Sequence, residues 1–214
     1  MGLKANVRII VADDHGIVRM GLIQTIQRLR PDAIIIEVED FKSLYKVILK
    51  EELDLAIMDV NMPNGSVQEA IDYIKMHQPD LRILIFSSQD EEVYAMRYLK
   101  MGAGGYLSKQ SSNAVVENAL TAMLSTGRFA SDNVKEAMFL ESINGTTKSS
   151  PFEALSDREL QIANKLAEGL PLKEISNQLN LHSSTISTYK NRLFEKLKIR
   201  SIPELVEILR LYNQ

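Results

Sequence analysis

The stretch LAIMDVNMPNG, residues 55–65, decides how the first half of the chain is interpreted. It begins as an unbroken apolar run, which is typical of a strand buried on both faces of a parallel sheet. It ends as a turn, because Pro63 and Gly65 interrupt regular structure. Asp59 stands where the strand gives way to the turn. A lone aspartate at such a position is explained well enough as a turn or capping residue, so the rest of the sequence must decide whether Asp59 does chemistry.

Four more apolar runs accompany this strand, and a helical pattern follows each of the five. The runs are VRIIVA (7–12), AIIIEV (33–38), RILIFSS (82–88) and GGYLS (104–108). The segments between them carry apolar residues at three- and four-residue steps, as Val18, Leu22 and Ile26 do. Five alternations of strand and helix predict an α/β domain, in which helices cover both faces of a five-stranded, parallel, doubly wound sheet.

Composition and charge limit the classes of function. A chain of 214 residues that is 45% hydrophobic and 25% charged is typical of a globular protein with two domains. No apolar run approaches the ~20 residues of a membrane helix, and the first residues predict a strand and not a signal peptide, so we expect no membrane partner. Cysteine is absent, which excludes thiolate metal sites and suits a cytoplasmic protein. The net charge of −3 argues against indiscriminate coating of nucleic acid.

The second half of the chain follows a different pattern. Between about Arg128 and Ser150 the alternation fades, and FLESINGTTKSSP has the composition of a linker, although residues 132–142 could form a short helix. Four short amphipathic helices are predicted beyond Pro151, at 156–168, 171–179, 183–197 and 202–211. Gly169 ends the first, Pro171 stands where the second can begin, and Ser183 or Ser184 can cap the third. We therefore predict an α/β domain at 1–125, a linker at 126–150 and a small all-α four-helix domain at 151–214.

Polar side chains follow the strands of the α/β domain where each strand ends. Asp13 and Asp14 come directly after the first strand, Asp59 ends the third, Ser87 ends the fourth, and Lys109 follows the fifth. Ligands of parallel α/β sheets bind outside the carboxyl ends of the strands, at the topological switch point. If the first, third, fourth and fifth strands are neighbours, these side chains converge on one crevice.

The residue types in that crevice favour phosphoryl chemistry. Three carboxylates close together must raise their pKa values or bind a cation, and oxygen ligands without cysteine favour Mg²⁺. A carboxylate can then act as nucleophile and form an aspartyl phosphate, while the metal and Lys109 neutralise the transferring group. Each residue alone has a simpler explanation, because Asp13 and Asp14 could cap a helix, Lys109 could be a surface lysine and Ser87 a turn residue. Together, and in this order, they favour a site.

Four short motifs, ADDH (12–15), DVNMPNG (59–65), FSSQD (86–90) and GYLSK (105–109), carry a family resemblance. Residues 1 to about 125 resemble the flavodoxin-like receiver domain of response regulators. The resemblance implies that Asp59 accepts a phosphoryl group from a sensor histidine kinase or a small phosphodonor. It further implies an acidic pair (Asp13 and Asp14), Mg²⁺ ligands from Asp14, Asp59 and the backbone carbonyl of Asn61, a switch hydroxyl (Ser87), a switch aromatic (Tyr106) and the family's lysine (Lys109).

The segment KEISNQLNLHSSTISTYKNRL, residues 173–193, meets the demands of a helix-turn-helix. Ser176 is the small residue needed at the helix crossing, Asn180 can adopt the left-handed turn conformation, and an apolar lock is formed by Ile175, Leu179, Leu181 and Ile186. A helical hairpin for protein contact is the alternative. Residues 190–200 hold five basic side chains against one acid, a local excess that suits contact with DNA phosphates.

This half also resembles a family. LSDRELQIANKLAEGLPLKEISNQLNLHSSTISTYKNRLFEKLKI, residues 155–199, is similar nearly end to end to the LuxR-type helix-turn-helix of NarL/FixJ response regulators. The resemblance implies that helix 183–197 enters the major groove of double-stranded DNA. Base edges would face Ser187, Thr188 and Asn191, and the DNA backbone would contact Lys173, Tyr189, Lys190 and Arg192.

The whole sequence is therefore interpreted as a response regulator and not an enzyme: phosphorylation controls sequence-specific DNA binding and transcription, with a homodimer forming on phosphorylation. Two alternatives stay open. One is an aspartyl-phosphate phosphatase of the haloacid-dehalogenase class, which places its nucleophile in a DxD motif after the first strand, whereas the two acids here are adjacent. The other is a DNA-binding regulator that does not depend on phosphorylation.

Overall fold

The computed structural model describes residues 6–144 and 151–212, and the chain divides into two compact units, Met1–Ile143 and Asn144–Gln214. The first unit is built on five parallel strands in the order β2-β1-β3-β4-β5. The strands are β1 (Arg8–Ala12), β2 (Ile34–Val38), β3 (Leu55–Met58), β4 (Arg82–Ser87) and β5 (Gly105–Ser108). This confirms the predicted fold class, and the order reverses between β1 and β3, which creates a crevice at their carboxyl ends.

Helices cover both faces of this sheet. They are α1 (Gly16–Leu29), α2 (Phe41–Ile48), α3 (Val67–His77), α4 (Glu91–Met101) and α5 (Asn113–Thr126). One apolar cluster joins the strands to α1 and α5 through residues such as Val11, Ile57, Leu22 and Leu120. The alternate strand residues, which point to the opposite face, are equally buried, as Ile10 and Ile85 are. The central strands are thus apolar on both faces, which explains why their runs lack polar alternation.

The turn after β3 brings the chain back against α2. The backbone N–H of Phe41 donates to the carbonyl of Pro63 at 3.1 Å, and Asn64 adopts a left-handed backbone with φ 66°. A side chain at Gly65 would place its Cβ 2.7 Å from the Cβ of Phe41, so only glycine fits this close approach. Ser66 then caps α3 by accepting from the N–H of Glu69. The Pro63–Gly65 interruption therefore lets the chain leave Asp59 and start a helix at once.

A sixth helix, α6 (Asp132–Asn144), lies in the segment predicted to be a linker and extends the short helix expected at 132–142. Its start is attached to α4, because the Ser131 hydroxyl donates to Glu91 Oε2 at 2.9 Å and also accepts from the N–H of Val134. Val134 is buried, whereas Phe139 and Ile143 further along are 64% and 63% exposed. The remaining linker residues, 145–150, lie outside the described part of the chain.

The second unit is all-α, as predicted. After a 3₁₀ turn at Pro151–Ala154 come α7 (Asp157–Ala167), α8 (Leu172–Gln178), α9 (Ser183–Leu197) and α10 (Ile202–Tyr212). Its core is formed by apolar residues from all four helices, among them Leu160, Ile175, Leu193 and Leu205.

Two of the helix starts in this unit differ slightly from prediction. Pro171 precedes α8 as its cap residue, and His182, not Ser183 or Ser184, occupies the cap of α9. Ser183 is the first residue of α9, and its hydroxyl instead donates to the Ser176 hydroxyl at 3.3 Å. The prediction that Ser183 or Ser184 caps α9 was therefore wrong, because the hydroxyl of Ser183 is used to join α9 to α8.

Among residues 6–144 and 151–212, no helix combines the length and the apolar character needed to cross a membrane.

Candidate functional site

Two buried carboxylates and one ammonium meet at the switch point of the sheet. Asp13 follows β1 and Asp59 follows β3, and each is only 2% exposed. The N–H of Asp59 donates to the carbonyl of Ala12 at 2.8 Å, which continues the ladder between the two strands. Lys109 Nζ lies 2.7 Å from Asp13 Oδ2 and 3.1 Å from Asp59 Oδ2. The strand-end positions therefore predict the convergence of these three side chains correctly.

The charges in this crevice do not balance. Burial raises the pKa of Asp59; the ammonium of Lys109 opposes this rise, and the charge of Asp13 adds to it. The other oxygen of Asp59, Oδ1, accepts from the N–H of Val60 at 2.8 Å. Two buried carboxylates thus share one ammonium, which leaves an excess of negative charge that a cation would neutralise.

A cation would find oxygen ligands here. Single ligand atoms of Asp13, Asp14, His15 and Asp59 all lie within 4.8 Å of one another. Asp14 stands at the mouth of the crevice with 34% of its side chain exposed, and Asn61 is partly buried two residues beyond Asp59. Carboxylate and carbonyl oxygens suit a hard ion such as Mg²⁺, so the residues present fit the metal that the sequence predicts.

His15 is a member of this cluster that the sequence interpretation missed. Its Nδ1 lies 2.6 Å from Asp14 Oδ1 and 3.3 Å from Asp13 Oδ1, and its backbone N–H donates to Asp13 Oδ1 at 2.8 Å. The side chain is 64% exposed. Its position directly after the two acids was a usable signal, because the residue after a strand-end acid shares the same edge of the sheet.

Ser87 and Tyr106 are connected through Gln89. The N–H of Gln89 donates to Ser87 Oγ at 3.1 Å, and the Tyr106 hydroxyl donates to the Gln89 carbonyl at 2.8 Å. The side-chain oxygen of Gln89 accepts from the Tyr98 hydroxyl at 3.1 Å. Gln89 therefore joins the end of β4 to β5 and α4, a role that its sequence position did not reveal.

The two tyrosines stack inside the unit. The rings of Tyr98 and Tyr106 are nearly parallel, with centroids 6.0 Å apart, and both side chains are fully buried. Burial raises the pKa of Tyr106, and a hydrogen bond with Ser87 opposes that rise. Tyr106 therefore keeps its proton at neutral pH and remains a hydrogen-bond donor.

In the second unit, α9 has one apolar and one polar face. Ile186, Leu193 and Leu197 are buried, while Asn191 and Arg192 are exposed on the other side. The polar face offers short side chains and cations to a partner, as a helix that reads DNA must. The remaining candidate contacts differ in exposure: Lys173 and Thr188 are exposed, and Ser187, Tyr189 and Lys190 are partly buried.

Several of these polar groups are already engaged locally. The Ser187 and Thr188 hydroxyls each donate to the carbonyl four residues earlier at 3.0 Å. Lys190 Nζ lies 5.7 Å from the centre of the Phe194 ring, a cation–π contact that directs the ammonium along the helix.

The turn between α8 and α9 has the expected geometry. Asn180 adopts the left-handed conformation with φ 50°, and Ser176 is 5% exposed at the helix crossing. Ile175 and Ile186 are fully buried, and Leu179 and Leu181 are partly buried. These observations confirm the predicted roles of the small residue, the turn residue and the apolar lock.

Comparison with known families agrees with the interpretation of both halves of the chain. Residues 9–121 match the response regulator receiver domain, and residues 153–209 match the bacterial regulatory proteins of the luxR family. Response regulator UvrY of Escherichia coli is 30% identical over 202 residues, covering 94% of this chain and 93% of its own. Response regulator GacA of Pseudomonas aeruginosa is 29% identical over 199 residues, covering 93% of each.

Solved structures of RcsB are similar to this chain over nearly its whole length. The RcsB response regulator of Salmonella typhimurium superimposes with a TM-score of 0.60 at 26% identity, covering 96% of this chain and 100% of its own. A structure of two RcsB dimers bound to two parallel DNAs gives a TM-score of 0.58 at 27% identity, covering 97% and 99%. None of these matches supports a phosphatase of the haloacid-dehalogenase class.

The receiver match alone covers more than half of the chain, and the relatives align over nearly all of it. The chain therefore belongs to the two-component response regulators, phosphorylation-controlled transcription regulators that join a receiver domain to a LuxR-type DNA-binding domain.

Proposed function

We propose that phosphorylation of Asp59 controls how strongly this protein binds its operator through α9. The observation that carries the proposal is the Asp13–Lys109–Asp59 arrangement, in which a buried carboxylate is held with one ammonium at the switch point of the sheet. We assign residues 1–125 to the receiver domain, 126–150 to a linker that includes α6, and 151–214 to the DNA-binding domain.

The reaction is a phosphoryl transfer to Asp59. One carboxylate oxygen attacks the phosphorus of a kinase phosphohistidine or of a small acyl phosphate; the new P–O bond forms as the bond to the donor breaks, and the donor keeps the electron pair. The attacking carboxylate must be ionised, and Lys109 and the N–H of Val60 favour the ionised form, which opposes the effect of burial. Because the phosphoryl group stays on the protein as a signal, we assign no turnover of external substrates, and the protein acts as a regulator and not as an enzyme.

The acidic crevice would hold Mg²⁺ through Asp14, Asp59 and the backbone carbonyl of Asn61, with Asp13 completing the acidic pair. When bound, the ion supplies positive charge to the oxygens of the transferring phosphoryl group. Lys109, 3.1 Å from Asp59 Oδ2, supplies a second positive charge. EDTA should therefore prevent phosphorylation even though every protein side chain of the site is intact.

The structural change that follows phosphorylation of Asp59 begins at Ser87. Its oxygen accepts from the Gln89 N–H, so turning the hydroxyl towards a phosphoryl group on Asp59 gives up that bond. Gln89 also holds the hydroxyls of Tyr98 and Tyr106, and the change therefore reaches the face formed by α4 and β5. We propose that this remodelling promotes a homodimer.

A homodimer on DNA presents two copies of α9. The operator should therefore contain two symmetry-related half-sites about one helical turn, or a multiple of a turn, apart. The solved structure of two RcsB dimers bound to two parallel DNAs supports binding as a dimer, since RcsB is similar to this chain. We also propose that the protein acts in the cytoplasm, because that is where it would meet chromosomal DNA.

The test compares binding of a specific operator with binding of random DNA. The operator is first identified by genome-wide footprinting with and without acetyl phosphate. Asn191→Ala should then cost roughly 1–3 kcal/mol on the operator and little on random DNA, because Asn191 is placed to reach a base edge. Arg192→Ala should weaken binding to both and reduce the salt dependence by about one unit of slope, because Arg192 is placed to contact a phosphate.

Three other contacts should act on the DNA backbone, from Lys173, Tyr189 and Lys190, while Ser187 and Thr188 should contribute to base preference. Equal losses on operator and random DNA for Asn191→Ala would contradict the placement of α9. Operator binding that is the same with and without phosphodonor would favour a regulator that does not depend on phosphorylation.

A further inference from the structure

Arg19 is a buried arginine of α1 whose guanidinium reaches the base of the acidic crevice. Its Nη1 donates to the backbone carbonyl of Asp13 at 2.6 Å. Its Nη2 donates to Glu39 Oε1 at 2.6 Å, and its Nε donates to Glu37 Oε2 at 3.2 Å. One planar group on α1 is thus attached to the carboxyl ends of both β1 and β2.

These contacts fix the peptide that joins the two acids of the site. The N–H of Asp13 donates to the carbonyl of Val38 at 3.1 Å, and its carbonyl accepts from Arg19. Both polar groups of the Asp13 backbone are therefore held, one by β2 and the other by α1. The orientation of the Asp13–Asp14 peptide decides where both carboxylates point, and Asp13 points at Lys109.

We propose that Arg19 is a positioning residue for the acidic pair, which sets the affinity of the crevice for Mg²⁺ by holding the Asp13 carbonyl. This inference rests on the proposed function, because it assumes that the crevice binds the ion during phosphorylation of Asp59. Arg19 contacts neither the ion nor the phosphoryl group, and acts only through Asp13.

Geometry, and not charge, is the contribution of Arg19. Glu37 and Glu39 both form ion pairs with the guanidinium, so its positive charge is already compensated before it could act on Asp13 or Asp59. Burial would lower the pKa of Arg19, but the hydrogen bonds that it donates to Glu37 and Glu39, together with their charges, outweigh burial and raise the pKa. What the guanidinium provides is a rigid planar fork that holds three acceptors at fixed angles.

The experiment uses the full-length protein and measures the Mg²⁺ dissociation constant by titration calorimetry. Arg19→Gln should weaken Mg²⁺ binding about tenfold, the scale seen when a residue that orients a metal ligand is removed. Arg19→Lys should not restore the affinity, because an ammonium keeps the charge and loses the fork. The matched control is Arg28→Gln, since Arg28 is another α1 arginine in an ion pair, with Glu117, and lies 63% exposed.

A second readout separates positioning from general damage to the fold. The rate of Asp59 phosphorylation by acetyl phosphate is followed by intact mass at increasing Mg²⁺. Arg19→Gln should shift the Mg²⁺ concentration for half-maximal rate about tenfold and change the rate at saturating Mg²⁺ much less. A loss of maximal rate with no shift in Mg²⁺ dependence would overturn the inference.

Three further results would also overturn it: wild-type Mg²⁺ affinity in Arg19→Gln, full rescue by Arg19→Lys, or an equal loss in Arg28→Gln. If Arg19→Gln does not fold, the inference is tested with Glu39→Gln instead. Glu39 is 72% exposed, so its substitution should not prevent folding, and Arg19 itself is retained. That variant should bind Mg²⁺ about two- to threefold more weakly, as expected for one exposed anchor, and unchanged affinity would overturn the inference. Failure of the wild type itself to bind Mg²⁺ or accept phosphoryl would instead overturn the proposed function.

Discussion

Each unit of this protein places a buried carboxylate next to a lysine, yet the pKa of the acid shifts in opposite directions in the two units. Asp59 in the first unit and Glu159 in the second are 2% and 3% exposed. Lys109 Nζ lies 3.1 Å from Asp59 Oδ2, and Lys196 Nζ lies 2.6 Å from Glu159 Oε2. Burial acts to raise the pKa of both acids. The net pKa of Asp59 is raised, whereas the net pKa of Glu159 is lowered, because hydrogen bonds from Lys196 and Ser156 outweigh burial there.

The difference lies in what else surrounds each acid. Glu159 completes a capping box with Ser156, accepting from the N–H of Ser156 while the Ser156 hydroxyl accepts from the N–H of Glu159. Asp59 must share its lysine with Asp13. A buried acid whose negative charge is fully compensated by its hydrogen bonds and ion pair stabilises the fold. An acid that shares its only cation with a second acid leaves negative charge uncompensated. Such a site favours binding of a further cation, and with it the phosphoryl group.

The largest effect expected from this comparison is on phosphorylation. Asp59→Asn should abolish incorporation of a phosphoryl group from acetyl phosphate and Mg²⁺, because the amide is not a nucleophile. Intact mass would show one added phosphoryl group in the wild type and none in the variant. Asp80→Asn is the control, since Asp80 is an exposed aspartate before β4, at the opposite edge of the sheet. Full labelling of Asp59→Asn would show that Asp59 is not the acceptor.

A smaller effect is expected on the stability of the second unit. Glu159→Ala should lower the free energy of unfolding by about 2 kcal/mol, because it removes a cap and a charged hydrogen bond together. Urea unfolding of the full chain followed by circular dichroism measures this change. Glu174→Ala, at an exposed glutamate of α8, should stay within about 0.5 kcal/mol of the wild type. Equal stability of the two variants would mean that Glu159 is no structural anchor.

The smallest expected effect is on how stability depends on pH in the absence of metal: the contributions of Asp59 and Glu159 should have opposite signs. The pKa of Asp59 lies above its ordinary 3.8, so its contribution to stability is complete below pH 3.8 and is lost as pH rises through the folded value. The pKa of Glu159 lies below its ordinary 4.5, so its contribution is present above pH 4.5 and is lost as pH falls through the folded value.

Urea unfolding in EDTA between pH 3 and pH 7 would show both trends. Asp59→Asn should remove the loss of stability on raising the pH, and Glu159→Gln should remove the loss on lowering it. If both substitutions changed the pH dependence in the same direction, the contrast between the two acids would not hold.

Local patterns predicted much of this molecule. The strands and helices of both units follow from apolar spacing, and the crevice follows from Asp13, Asp59 and Lys109 each standing at a strand end. Asn180 was predicted in its turn because only a few residue types tolerate a positive φ. The capping box of α7 has a signal of the same kind, since Ser156 and Glu159 stand three residues apart.

Contacts between distant segments could not be predicted in the same way. Arg19 reaches Glu37 and Glu39, Gln89 joins Tyr98 to Tyr106, and Lys196 meets Glu159. Each partnership depends on how helices pack on the sheet or on one another, which a period of two or 3.6 residues does not specify. The proposed DNA contacts of α9 are a different case, because the bases that they would contact lie outside the chain.

The hydrogen bond between Ser131 and Glu91 attaches α6 to α4 at one end only, among the contacts described above. The helix is fastened to α4 at its first turn, whereas residues 135–140 and 142–143 beyond that point are exposed. Thirteen residues span about 20 Å, so a tilt of about 10° at the fastened end moves the far end by about 3.5 Å. If α4, which carries Tyr98 of the stacked pair, tilted α6 at this attachment, the stiff helix would turn that tilt into a larger displacement where the chain leaves the first unit. Shortening α6 would reduce the displacement of its far end in proportion to the length removed.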